Sequence, residues 1–599
     1  MACSLFALVC GACSLFVVGD LSTEQCTTNA DCRRFGAAYT CSAGTCISPS
    51  APDGATADGN AADAAPACQS NAQCIDENFG EPYICDKTAG STTLGKCLSI
   101  KQEGCQFVYP EEELRDENTV PVIFGAFMPL VNESAPMSAP IALAYKLALK
   151  EIQTAGGLSG GAGSKRKTMA AIFCDSGPEN VKKGVQHLTR TLHVPAVISL
   201  FSQTDMTTLF QDDLGPTGTF TLNPQDTTEA LKVIDAQQLL WHLLGTPQDV
   251  ALAYRPLVAK AETYVRSKNS IPGGTPTRVA IVSTDTPTET AIAGLIREPF
   301  TAPGRGIQFN GKDWDGNGVD ARFLKIASRE ETPNTTYGAD IDAIADFGPD
   351  IVILLTSSHE LAPFVGAVNV NNDSLYEPGL DAKIKAKAVD AGGPARLPVY
   401  LLGPRNARSG EFLAYLKSEH TEPSTQKYQR FLGLQYAGAA DKPNPQSQYQ
   451  QYLKRAADEN PTPAALLAAR STENYYDAIY WLAYGLYAAG PGAPVNGASF
   501  AQGVRKLLAG PEIYPGPTTE ITKSFLAISA SATGTTFMGA LGKPSFDTAS
   551  GAQLSVGAVY CYEKDIVDGQ FKPKYDTYRY DRTTGQFTAP PDGFCFIGF

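Results

Sequence analysis

From residue 119 onward, short continuous apolar runs alternate with longer stretches whose apolar residues recur every three to four positions. Continuous runs mark strands buried on both faces, and the three-to-four spacing marks helices packed by one face. On that reading, strands fall at 120–127, 168–174, 194–200, 219–222, 278–283, 350–355, 398–402 and 431–435. Helices fall at 140–155, 228–244, 289–296 and 472–489. Gly156-Gly157 stops the first of these, and Ser176 with Glu179 three positions on has the spacing of a capping box. Strand and helix alternating over nearly 480 residues predict an α/β fold with parallel sheets covered on both faces. One sheet rarely takes so much chain, so two lobes are expected. The Gly-, Thr- and Tyr-rich tail, with short strands at 554–562 and 578–580, reads as an extension capping one lobe.

Before residue 106 the material is different, because twelve of the fifteen cysteines lie there. Cys26, Cys32, Cys41 and Cys46 form one block; Cys68, Cys74, Cys85 and Cys97 form another. Both begin CxxNAxC and carry a tyrosine (Tyr39, Tyr83) two residues before the third cysteine, so the block is duplicated. Each is too short to build a core, and neither has the close CxxC pairs of a zinc site, so two disulfides apiece are expected. Four cysteines allow three pairings, and the sequence does not choose among them. For the remaining cysteines, 105–174 and 561–595 are the simplest staples. The stretch 47–67, rich in Pro, Ala, Gly and Asp, reads as a flexible linker. Disulfides imply an oxidising compartment.

Residues 1–19 are apolar, with Gly11-Ala12 before Cys13. They resemble a bacterial lipoprotein signal, in which that cysteine is acylated and becomes the first residue; no Lys or Arg precedes the apolar run, and Cys10 stands where a leucine is usual. Removing Cys3 and Cys10 and acylating Cys13 leaves an even number of cysteines for pairing. An exported, lipid-anchored protein in the periplasm or at the cell surface is expected.

Charge narrows the function classes. The chain carries 48 Lys+Arg against 62 Asp+Glu, a net −14, and its longest basic run is Lys165-Arg166-Lys167, which argues against nucleic-acid binding. The five histidines are scattered, and no G-x-S-x-G, P-loop or strand–turn G-x-G-x-x-G is present. A binding protein without a cofactor is expected, not an enzyme.

The segments VIFGAFMPL, ALAYKLALKEIQTAGGL, TMAAIFCDSGPENVKKGVQHL and VPAVISLFSQTD, in that order, resemble the opening lobe of type I periplasmic binding proteins. The closest group is the leucine/branched-chain amino-acid receptors of ABC importers. RVAIVSTDTPTETAIAGLI and FGPDIVILLTSSHE resemble the entry of the second lobe and its ligand loop, and STENYYDAIYWLAYGL the late helix returning to the first lobe. The resemblance covers about 119–560 and implies a two-lobed domain over 119–599. Lobe 1 is expected at about 119–245 and 430–510, and lobe 2 at about 275–428 and 515–599, preceded by disulfide-rich modules at 26–46 and 68–105. It implies three crossings between lobes and a cleft that closes on a small ligand, with a permease or sensor as partner. By position, Ser202, Thr204, Gln225 and Thr227 would meet a ligand carboxylate, and Glu360 its ammonium group. Each has a plainer reading as a helix cap, turn residue or solvated loop acid. The aromatic residue that the family places in the second-lobe entry loop is missing from the stretch 283–288, which bears on the amino-acid assignment.

Asp313, Asp315 and Asn317, followed by Gly318, have the D-x-D-x-N-G opening of a calcium loop, but Leu324 stands where the bidentate Glu is needed, and an Asp/Gly-rich turn is the stronger reading. Beside the solute receptor stands a second function class, a surface interaction protein whose Cys-rich blocks bind a partner while the lobes act as scaffold. An open cleft with convergent polar groups favours the first; a cleft filled by side chains favours the second.

Overall fold

The computed structural model describes residues 67–588 apart from the segments 131–134, 159–164, 225–234, 300–305, 330–334, 367–377, 420–428, 437–445, 463–471 and 565–570 and some shorter ones, together with 28, 40–42 and 45–47. Cys13, Cys26, Cys32, Cys595, Ser202, Gln225 and Thr227 lie outside the described residues.

The chain first builds strands β1 (Cys105–Tyr109), β2 (Thr119–Met128), β3 (Arg166–Asp175), β4 (Ala196–Ile198), β5 (Phe220–Asn223) and β6 (Leu240–His242), with helices α1 (Ala135–Thr154) and α2 (Gln203–Leu209). The sheet order is β6-β5-β4-β2-β3-β1, continued beyond β6 by two short strands, Ala552–Gln553 parallel to it and Phe546–Asp547 antiparallel at the far edge, while β1 is antiparallel on the other edge beside β3. In chain order β2 to β6, all parallel, read 2-1-3-4-5, a doubly wound arrangement that leaves ligand crevices outside the strands' carboxyl ends. The expected helix 228–244 is corrected at its end, where Leu240–His242 is a strand wholly buried between neighbours. Its apolar run mimics a helix face because a short strand buried on both sides shows no alternation.

Helix α3 (Pro247–Lys268) then carries the chain into the second lobe. It starts where it does because Thr246 donates its backbone N–H to Asp249 Oδ2 at 2.8 Å and Pro247 fills the first turn. The second sheet contains β7 (Val279–Thr284), β8 (Ala321–Ile326), β9 (Ile351–Leu355), β10 (Val399–Leu402) and β11 (Phe431–Tyr436), with helices α4 (Pro287–Arg297), α5 (Ser358–Val365) and α6 (Leu380–Asp390) between them. Their order, β8-β7-β9-β10-β11, repeats the 2-1-3-4-5 arrangement. The chain returns to the first lobe through α7 (Gln448–Glu459), α8 (Glu473–Ala489), α9 (Gly497–Arg505) and α10 (Thr518–Ala530). A last crossing leads to β12 (Gly557–Lys564), β13 (Phe571–Asp581) and β14 (Gln586–Thr588), which extend the second sheet antiparallel from β11. There are thus three crossings, after β6, after β11 and before β12.

The lobe limits differ from those expected. β11 lies in the second sheet, while α10 buries Ile521, Phe525 and Ile528 in the core of the first lobe. The tail strands cap the second lobe as expected, and they do so closely: Tyr560 lies across Gly433, where a Cβ would come within 2.0 Å of its ring.

The second Cys-rich block forms the disulfides Cys68–Cys85 and Cys74–Cys97 and packs Ile75, Ile84 and Ile100 into the core of the first lobe. Cys105–Cys174 then bolts β1 to β3, as expected. Cys561 is disulfide-bonded. In both blocks the third and fourth cysteines face each other across a two-stranded antiparallel ladder, Cys41 opposite Cys46 and Cys85 opposite Cys97. That shared register is the structural form of the duplication. It leads us to expect first-to-third and second-to-fourth pairing in the first block too, Cys26–Cys41 and Cys32–Cys46. Mass-spectrometric disulfide mapping of non-reduced digests checks this; a peptide linked Cys41–Cys46 would break the analogy.

Asp477 anchors the approach to the last crossing. From α8 it accepts the backbone N–H groups of Ala540 at 2.8 Å and Leu541 at 2.7 Å. Burial, only partly offset by those two bonds, pushes its pKa up to about 7 from 3.8. A carboxyl whose folded pKa is raised binds more protons folded than unfolded between those values, so its contribution to stability is lost as pH rises from about 4 to about 7. Asp477→Asn should flatten the decline in urea midpoint over that window; an identical pH profile in the variant would refute the assignment.

Candidate functional site

In a doubly wound sheet, the usable crevice lies at the carboxyl ends of the strands. In the first lobe this edge is polar, and its strand-end carboxylate, Asp175 of β3, is buried and accepts Leu130 N–H and Asn180 Nδ2–H, both at 2.9 Å. Ser199, directly after β4, is buried and held by its backbone N–H to Leu222 O at 3.0 Å, while its hydroxyl has no hydrogen-bond partner among the described residues. Asn223 ends β5 and lies 3.0 Å, Nδ2 to Nδ1, from His242 at the end of β6. Asn474, in the first turn of α8, donates Nδ2 to Pro224 O at 2.5 Å, and its buried Oδ1 has no partner among the described residues. Pro224 immediately precedes Gln225, so α8 fixes the chain at the point where the segment bearing Gln225 and Thr227 begins. Thr204 sits in the first turn of α2.

The second lobe presents carboxylates at the matching edge. Glu360 is in the first turn of α5, directly beyond β9, as the sequence predicts, but it is fully buried. Its Oε1 accepts Arg329 N–H at 2.7 Å and the Ser328 hydroxyl at 3.3 Å. Nearby, Tyr337 donates to Ala327 O at 2.9 Å, and its hydroxyl pKa is raised by burial first and by Glu360 second. Glu360 therefore holds the turn after β8, and Gln in its place should lower stability by about 1.5–3 kcal/mol, the worth of hydrogen bonds to a charged group. Thermal melts of the empty protein read this; an unchanged melting temperature would show that the charge is idle there.

Two acids at this edge escaped the sequence reading. Asp285, immediately after β7, is exposed, and its Oδ1 accepts Ser328 N–H at 2.9 Å, so Asp285 and Glu360 bracket Ser328. Glu289 is buried in the first turn of α4 and accepts the Thr286 hydroxyl, which itself lies 3.0 Å from the Thr284 hydroxyl. The available signal was Thr286-x-x-Glu289, a capping-box spacing directly after an apolar run. Below them, Asn406 ties the ends of β9 by donating Nδ2 to Leu354 O and Thr356 Oγ1, both at 3.2 Å. Tyr560 from β12 donates to Gly403 O at 2.9 Å. The edge is a braced platform. α2 of the first lobe approaches α4 of the second, bringing the two strand-end edges toward each other.

The calcium candidate dissolves into a turn. Asp313 accepts Gln308 Nε2–H at 2.7 Å within a small ladder, and Asn317 Oδ1 accepts Phe323 N–H at 2.9 Å. Among the described residues, the one group of convergent metal-ligating atoms is Cys68, Cys74 and Cys85, which are spent on disulfides.

No protein-family model matches the chain, and no curated protein does. Solved structures with a similar course include an ABC transporter substrate-binding protein from Desulfitobacterium hafniense in complex with Leu, 16% identical over 76% of this chain and 100% of that one, TM-score 0.41. A branched-chain amino acid transporter substrate-binding protein from Streptococcus pneumoniae in complex with isoleucine is 14% identical, over 76% of this chain and 100% of its own, TM-score 0.45. A solute-binding protein of an ABC transporter from Rhodopseudomonas palustris in complex with 3,4-dihydroxybenzoic acid is 13% identical, over 78% and 98%, TM-score 0.47. Two sheets of equal 2-1-3-4-5 order, joined by three crossings and preceded by disulfide-closed chain, give this protein the two-lobed type I periplasmic-binding-protein fold.

Proposed function

We propose that the chain is an extracytoplasmic solute-binding protein that closes its two lobes on a small polar, amino-acid-like ligand and delivers it to an ABC importer or a sensor. The observation that supports this reading is the meeting of strand-end edges: α2 of the first lobe approaches α4 of the second, the first-lobe edge carries the Ser199 hydroxyl and Asn474 Oδ1 without partners among the described residues, and the second-lobe edge carries Asp285. Ligand carboxylate would meet Ser202, Thr204, Gln225 and Thr227, which follow the first-lobe strands β4 and β5 in the chain. The ligand's ammonium would meet Asp285, the exposed acid, with the charge of Glu360 behind it across the Ser328 turn. Structural disulfides are at home in an oxidising compartment, which fits export. Acylation of Cys13 would tether the protein outside the membrane, the blocks and linker acting as spacer. The packing of the second block into the first-lobe core makes it part of the receptor body and weakens the reading in which it is a separate partner-binding module.

Native mass spectrometry of the purified protein should find a small zwitterion retained, and calorimetry with that compound should give one site. Asp285→Asn should weaken it about tenfold or more if its ammonium is desolvated on closure. Binding within about twofold of wild type would exclude an ammonium contact at Asp285, and a retained neutral or anionic solute would redirect the ligand class.

A further inference from the structure

A cavity lies at the amino-terminal edge of the first-lobe strands, remote from their carboxyl ends. It exists because of a mismatch in strand length. β2 pairs with β3 along all ten of its residues, whereas the three-residue β4 reaches β2 only at Gly125 and Ala126. The first half of β2 therefore continues past the end of β4 with β3 on one side and no strand on the other. The walls of the gap are the loop before β4 (192–195), the loop before β5 (217–219), the start of α9 and the second Cys-rich block, which contributes Ile84, Lys87 and Thr88. The resulting groove measures 840 Å³, within the usual range for small-molecule sites.

Its lining has two parts. The floor is apolar, with Val120, Val122, Ile123, Val194 and Val495, and Val120 is 47% exposed despite standing in a central strand. The ionisable groups are Lys87, Lys167, Arg190 and His193, and none of the described lining residues is acidic, in a chain of net charge −14. Arg190 is already paired with Asp213 at 2.5 Å. Lys87 and Lys167 have no ion-pair partner among the described residues, and the His193 ring meets Ser91 of the Cys-rich block at 3.3 Å. Positive groups thus enter from both the block and the lobe, over a hydrophobic floor.

We propose that this groove binds a small amphipathic organic anion, an apolar body bearing a carboxylate, with the body on the β2 floor and the carboxylate between Lys87 and Lys167. An inorganic anion would leave the floor unused, and a folded partner could not enter a groove of this volume. The site does not rest on the cleft reading above, because it uses the opposite edge of the sheet. It does require the docked Cys-rich block, which gives that block a role beyond spacing.

Octanoate is a suitable probe, titrated calorimetrically into the full chain. One molecule should bind, and octanol, of equal apolar length without the charge, should bind more weakly. Lys87→Glu is at an exposed position and should leave the melting temperature and the cleft ligand's affinity unchanged. Reversing one exposed charge replaces a weak attraction with a repulsion, so Lys87→Glu should weaken octanoate about two- to tenfold and the double variant Lys87→Glu/Lys167→Glu about tenfold or more. Val120→Asp, also at an exposed side chain, should abolish binding by placing a carboxylate on the floor. No heat from octanoate up to its solubility limit would overturn the proposal. So would equal octanoate affinity in wild type, a folded double variant and Val120→Asp, which would locate the probe elsewhere.

Discussion

Arg455→Met is expected to cost the first lobe about 3–5 kcal/mol, the scale for removing one partner of a buried ion pair. Glu151 comes from α1 and Arg455 from α7, and both are largely buried. Oε1 of Glu151 accepts Arg455 Nε–H at 2.7 Å. Oε2 accepts the hydroxyls of Tyr476 at 2.5 Å and Tyr480 at 2.6 Å, and Arg455 Nη2 donates to Tyr476 at 2.7 Å. The cluster ties the opening helix of the lobe to helices that the chain supplies only after returning from the other lobe. Burial raises the Glu151 pKa, and Arg455 is the largest influence pulling it down. Without the guanidinium, the carboxyl rises further, so the variant should regain stability in acid, as protonation removes the stranded charge, and lose it as pH rises. Urea unfolding across pH reads both effects. Glu151→Gln combined with Arg455→Met should recover much of the loss, since uncharged replacement of a whole buried pair is often nearly neutral. A single-variant cost below about 1 kcal/mol would mean that the pair contributes no more than a surface contact.

None of this cluster announces itself in the sequence, because its partners lie more than three hundred positions apart. What the sequence does reveal is local. β9 is legible because Ile351–Leu355 is uninterrupted and buried at every position. β8 is missed because Ala321–Ile326 is an edge strand with exposed Arg322 and Lys325, so its apolar residues do not form a run. α3 is missed because Pro256 and a charged outer face break up a helical stripe that becomes coherent only when Val250, Tyr254, Leu257 and Ala261 are seen on one core. Lobe membership fails for α10 and β11 for a related reason: amphipathicity says that a face is buried, not which of two cores buries it. At the cleft, strand position alone locates Glu360. Its burial depends on Arg329 and Ser328, which come from the turn after a strand that the reading had not found.

The second lobe has its own cluster of the same composition, and Asp381→Asn should cost about 3–5 kcal/mol there. Asp381, in the first turn of α6, accepts the hydroxyls of Tyr400 at 2.8 Å and Tyr415 at 3.0 Å. Arg430, just before β11, donates Nη1 to Oδ1 at 3.1 Å and Nη2 to Oδ2, a bidentate pair that joins a helix to the end of the sheet. Asparagine keeps the shape but turns an NH₂ group toward either the guanidinium or the tyrosines, and it leaves the buried cation uncompensated. Because Asp381, Tyr400 and Arg430 pack with the second lobe's core while Glu151 and Arg455 pack with the first, the two substitutions act on different cores. Scanning calorimetry should therefore show a low-temperature transition splitting from the wild-type endotherm in each variant. The Asp381→Asn transition should carry the unfolding enthalpy of the second lobe and the Arg455→Met transition that of the first. A ligand bound between the lobes, as proposed above, would bridge them, so adding it should draw the split transitions back together in either variant. If instead both variants unfold in a single shifted transition with full enthalpy, the three crossings couple the cores into one cooperative unit. Lobe closure would then have to occur as a hinge motion within a body that melts as a whole.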